Sequence, residues 1–89
     1  MNYTDEDLTG CLSASLAGHD KGSLYFIINN KDDIVYLADG LKKTVDNPKK
    51  KKLKHVQINK KIRLESDSLN DTGIKRAIKL FLKEEKEAN

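Results

Sequence analysis

Between Cys11 and Ile58 no unbroken apolar run exceeds five residues, and the two that reach five, at 24–28 and 34–38, stop at Asn29 and Asp39. Five residues make little more than one turn of α-helix but a complete strand of a small sheet. The chain is thereby restricted to short strands over this stretch. Leu12, Ala14 and Leu16 alternate with Cys11, Ser13 and Ser15, the period of a strand with one buried face. A second strand is expected at 24–28, with a turn-forming loop from Asn29 to Asp33, and a third at 34–38. Asp39-Gly40 then reads as a two-residue hairpin turn leading to a fourth strand at 41–45, which Asp46, Asn47 and the single proline, Pro48, bring to an end. After four lysines in a row, alternation resumes from Leu53 to Ile58, with Val56 and Ile58 on one face and His55 and Gln57 on the other, as a fifth. The pattern predicts a mainly β fold, a small antiparallel barrel or half-barrel of about five strands.

The C-terminal third has another period. Ile74, Ala77, Ile78, Phe81 and Leu82 recur as one stripe of an amphipathic α-helix, with Asn70 or Asp71 as cap and Leu69 and Ile74 spaced as a hydrophobic staple. A helix of roughly 16 residues is marginal alone in water, so its stripe must be covered by the barrel or by a second copy of the chain, a homodimer through the helix. With 37% hydrophobic residues in 89, there is material for one small core. The expected organisation is a loose arm at 1–9, a barrel at 10–60, and a linker with the helix at 61–89.

Several function classes are excluded at this level. Asp5, Glu6 and Asp7 stand where a secretory leader would carry bases, and no apolar stretch is long enough for a membrane, so a cytoplasmic protein is expected. One cysteine, Cys11, allows no intrachain disulfide and, with only His19 and His55 beside it, no zinc site. No metal or other cofactor is expected. Cys11 with a histidine is the one nucleophile–base pair available, and no oxyanion donors are evident near it, so the reading is nonenzymatic.

Charge carries the positive signal. Residues 1–41 hold seven acids and two bases, residues 42–63 ten bases and one acid, and residues 64–89 five bases and six acids. The middle 22 residues therefore stand at +9 within a chain of net +3. The usual partner of such a field is a polyphosphate. Lys49, Lys50, Lys51, Lys52 and Lys54, joined by Lys42 and Lys43 across a turn, are the candidates for phosphate contact. His55 beside them offers a donor when protonated or a stacking ring. Gly18-His19-Asp20-Lys21-Gly22 is a second candidate: its two glycines permit a sharp loop whose N–H groups could hold a phosphate oxygen, with Lys21 as a mobile ammonium. A plain strand-to-strand turn has the same spacing. Tyr25, Phe26 and Tyr36 are candidates for stacking on bases. Neighbours on a strand face opposite ways, so Tyr25 and Phe26 are not both expected in the core, and at least two of the three aromatics are expected to pack there.

Residues 16–22, the apolar strand after them, Tyr36-Leu37-Ala38-Asp39-Gly40, and Pro48-Lys49-Lys50-Lys51-Lys52-Leu53-Lys54-His55 together resemble the small bacterial KOW-motif RNA-binding proteins. These are similar in turn to the KOW-bearing large-subunit ribosomal proteins of the fourteen-e and twenty-seven-e types. The resemblance covers residues 10 to 58. It implies an SH3-like barrel in which Gly22 is the motif glycine, and an RNA partner, ribosomal RNA first, with ribosomal proteins as neighbours. The family loop often carries two or more bases, whereas here Asp20 offsets Lys21. The function expected is RNA binding through the lysine cluster; the alternative is a protein-interaction adaptor that uses the barrel or the helix.

Overall fold

The computed structural model describes residues 6–87. Five antiparallel strands form one sheet: β1 (Cys11–Ser15), β2 (Leu24–Lys31), β3 (Ile34–Ala38), β4 (Lys49–Lys52) and β5 (Val56–Arg63). A helix, α1 (Asp71–Glu87), follows. The strand order is β4-β3-β2-β1-β5, so β4 and β5 are the two edges and the sheet is not closed. This is the mainly β half-barrel with a C-terminal helix that the strand pattern predicts. No helix among the described residues is long and apolar enough to cross a membrane.

The central strands are buried on both faces, not on one. On one face Cys11, Tyr25, Ile27, Val35, Leu37 and Val56 form a cluster with Leu8, closed by Leu53 from the 3₁₀ turn Leu53–His55 between β4 and β5. On the other, Leu12, Phe26 and Ala38 pack with Ile74, Ala77, Ile78 and Phe81 of α1. Two coverings explain why Tyr25 (5% exposed) and Phe26 (0%) are both core residues, against the expectation from alternation. Tyr36 is half-buried. Ser13 and Ser15 are buried too: the Ser13 hydroxyl donates to the Tyr25 carbonyl (3.2 Å), and the Ser15 hydroxyl shares its one proton between the Ala17 carbonyl (2.9 Å) and the Asp20 carboxylate.

Three segments depart from the sequence reading. The first concerns residues 6–9 of the expected loose arm, which are fastened: Leu8 is 2% exposed, and its N–H donates to the Asn30 side-chain carbonyl at 2.9 Å. Residues 1–5 lie outside the described residues. The second is the expected fourth strand at 41–45, which is a loop. The Asp39 carboxylate accepts the N–H groups of Leu41 and Lys43, each at 2.9 Å, and so removes from any ladder the donors a strand would need. Gly40, at φ 81°, sits so close to α1 that an added Cβ would collide with the Asp71 carbonyl, which docks this loop on the helix. The third is the lysine run itself, which forms β4, paired with β3 in the register Leu37↔Lys49, Tyr36↔Lys50, Val35↔Lys51, Ile34↔Lys52. The fifth strand accordingly starts later than expected and runs to Arg63.

α1 follows its stripe. The Asn70 side chain caps it, accepting the Gly73 N–H at 2.8 Å, and Leu69 packs in the same cluster as Ile74 as a staple requires. Leu82, expected in the stripe, stays 54% exposed.

Candidate functional site

The loop between β1 and β2 turns at Gly18 (φ 88°) and Gly22 (φ 90°), both left-handed. Its geometry differs from a phosphate cradle. The N–H groups of Lys21, Gly22 and Ser23 donate inward, to the carbonyls of Gly18, Ser15 and Asp20 at 3.2, 2.8 and 2.8 Å. What the loop presents instead is Asp20. One carboxylate oxygen accepts from Ser15 Oγ (2.9 Å) and Lys51 Nζ (3.0 Å), the other from Tyr25 Oη (2.8 Å) and Lys49 Nζ (3.0 Å). Burial alone would raise its pKa, but the hydrogen bonds from Lys51, Tyr25, Lys49 and Ser15 together outweigh that and hold the carboxyl well below the usual carboxylate range. Burial, and then its bond to Asp20, push the Tyr25 phenol up to about 12. Asp20 thus joins the glycine loop to the edge strand, and its partners are Lys49 and Lys51, not Lys21.

This splits the lysine cluster. In a strand successive side chains take opposite faces, so Lys49 and Lys51 turn toward Asp20 while Lys50 and Lys52 take the other face. Lys51 is the more enclosed, with its side chain 11% exposed. The four lysines are therefore not one patch, and two of them are held by a carboxylate of the same chain. Lys21, Lys42, Lys43, Lys50, Lys52 and Lys54 have no ion-pair partner among the described residues. Lys50 Nζ stands 5.9 Å from the centre of the Tyr36 ring.

The two candidate loops do converge. His19, Lys42, Lys43 and Lys49 line one cleft of about 490 Å³, with Asp20 and Tyr25 in its wall. Lys50 and Lys52 take the face of β4 opposite Lys49, and Lys54 follows in the 3₁₀ turn. Lys21 is exposed on the glycine loop outside that cleft. His55 is half-buried at the end of the 3₁₀ turn, where its carbonyl accepts the Leu16 N–H at 2.8 Å. Cys11 is fully buried, and Arg63 donates to its sulfur at 3.0 Å. No group of three or more His, Cys, Asp or Glu that could hold a metal occurs among the described residues.

Sequence reasoning missed the role of Asp20. An acid in a glycine loop gives no sign of which bases it will meet, and its partners lie about 30 positions away on a strand that a run of identical residues conceals. In comparisons with known proteins, no family model matches the chain and no curated protein matches it.

Proposed function

We propose that this chain is a nonenzymatic, cytoplasmic RNA-binding module of the KOW kind its sequence resembles, docking on the phosphate backbone of structured RNA such as ribosomal RNA. The observation that carries the reading is the set of ammonium groups at Lys42 and Lys43 in the β3–β4 loop, Lys50 and Lys52 on one face of the edge strand and Lys54 in the turn after it, none of which has an ion-pair partner among the described residues. A polyanion suits such a set of charges, because each neutralised phosphate releases condensed counterions. The mechanism is electrostatic anchoring on a rigid sheet, with His19 and the loop cleft adding shape. Five contacts predict that log K falls with log salt at a slope of roughly −3.5 for single-stranded RNA.

Fluorescence anisotropy of a labelled RNA at a series of salt concentrations tests this. Lys50→Glu with Lys52→Glu should abolish most of the binding and flatten the slope, while leaving the fold intact because both side chains are exposed. Lys49 and Lys51 are poor choices for that test, since their loss strands Asp20. Salt-insensitive binding, or binding untouched by the double variant, would reject the proposal.

A second reading rests on a specific feature. Leu24, Leu41 and Leu82 line a groove of about 570 Å³ beside α1, and Leu41 and Leu82 are 67% and 54% exposed. A peptide-binding adaptor would use it. Clean protein at low salt, with no nucleic acid co-purifying, would turn the balance toward that reading.

A further inference from the structure

Beyond α1's reach, the face of the sheet that the helix covers lies open. Two cross-strand rows occupy that region: Asn29, Tyr36 and Lys50 side by side on β2, β3 and β4, and next to them Lys31, Ile34 and Lys52. Asn29, Lys31, Lys50 and Lys52 are exposed, and Tyr36 and Ile34 are half-buried between them. The exposed amide of Asn29 thus adjoins the only aromatic ring on this part of the sheet, with three ammonium groups around it. Asp32 and Asp33 stand one position further on, in the turn that joins β2 to β3, beyond the second row.

We propose that this face is a stacking platform for an unpaired RNA base, with Tyr36 as the stacking ring and Lys50 and Lys52, side by side on the neighbouring strand β4, as the phosphate contacts. The inference rests on the RNA-binding reading and adds to it a subsite and a class of nucleotide. The chemistry is that of single-strand recognition. A π-face accepts any base, while cations spaced along a strand track the backbone. Lys50 and Lys52, two residues apart on one face, stand about 6.6 Å from each other along the strand. Lys50 already leans toward the Tyr36 ring, and a base arriving on that ring would leave its ammonium free to meet the flanking phosphate. An acidic peptide would satisfy the lysines but has no use for the ring; charge together with a π-face selects a nucleic acid.

The test compares a short oligoadenylate with an abasic oligomer carrying the same number of phosphates. Stacking predicts that Tyr36→Leu, which retains apolar bulk, weakens oligoadenylate binding about 5- to 150-fold and leaves the abasic oligomer unaffected. Tyr36→Phe should restore the loss. In the wild-type protein the Tyr36 ring protons should move upfield on addition of oligoadenylate, a readout that needs no substitution. Unchanged ring shifts, or equal loss for both oligomers, would overturn the platform while the salt-dependent binding of the abasic oligomer left the RNA reading standing. Failure of the wild-type protein to bind either oligomer would overturn the platform, and failure to bind a structured RNA in the same titration would overturn the RNA reading with it. Displacement of oligoadenylate by a poly-glutamate peptide at equal charge would also overturn the platform, in favour of an acidic protein partner.

Discussion

Asp20 is the residue on which the loop, the edge strand and the charge balance meet. Its side chain is 13% exposed and takes four hydrogen bonds, two of them from ammonium groups. Because its folded pKa lies below the unfolded value of about 3.9, its contribution to stability is present above that pH and is lost as pH falls toward the folded pKa. Asp20→Asn removes that acid limb. It should cost about 2 kcal/mol at neutral pH, since bonds to charged groups are lost and Lys51 is left partly enclosed without its counter-charge. In a domain of this size that lowers Tm by roughly 8–16 °C. The same variant should bind RNA more tightly, because Lys49 and Lys51 become available, and its salt slope should steepen by about 0.7 to 1.4. Thermal melts from acid to neutral pH and anisotropy titrations check the two halves separately. A variant that is less stable and also binds RNA no better would show that Asp20 organises the interface instead of restraining it.

At the scale of elements, the sequence was legible where side chains differ along the period and illegible where they do not. Alternation at 11–16, the apolar runs of β2 and β3, and the 3.6-residue stripe of α1 with its Asn70 cap all stand in the structure near the expected places. Four lysines carry no alternation to read, and β4 exists because β3 offers it a ladder. The 41–45 segment has the composition of a strand, but Asp39 captures its amides first. Of the candidate site, the lysine-rich stretch was legible as charge, whereas its division by faces was not, because that depends on register. Lysine on an edge strand has a further consequence: it discourages another chain from pairing with the open β4 edge. Lys50→Val with Lys52→Val keeps the strand propensity and removes that protection. The double variant should form oligomers whose size grows with concentration in light scattering, beyond that of the wild-type chain at the same concentration.

Across the whole molecule, the division of labour follows from a small sheet with two apolar faces and too few residues to fold back over both. One face is covered by Leu8 and by the 3₁₀ turn at Leu53, and the other needs α1. Ile74 is 0% exposed and meets Phe26 (0%) and Leu12 (2%), so the helix is part of the core and not an appendage added to a finished barrel. Gly40 against Asp71, and the Val45 N–H donating to the Asp71 carboxylate at 2.9 Å, also tie the lysine-bearing loop to the start of this helix. Folding and the placement of Lys42 and Lys43 are therefore coupled. Ile74→Ala should cost about 2–5 kcal/mol through the cavity it leaves, a large share of what a domain this small can hold. A chain cut after Leu69 should lose its cooperative melt, bind a hydrophobic dye through the uncovered Phe26 face, and fail to retain RNA at moderate salt. If the helix served only as a docking arm, the truncated chain would melt like the full-length protein and bind RNA with the same salt slope.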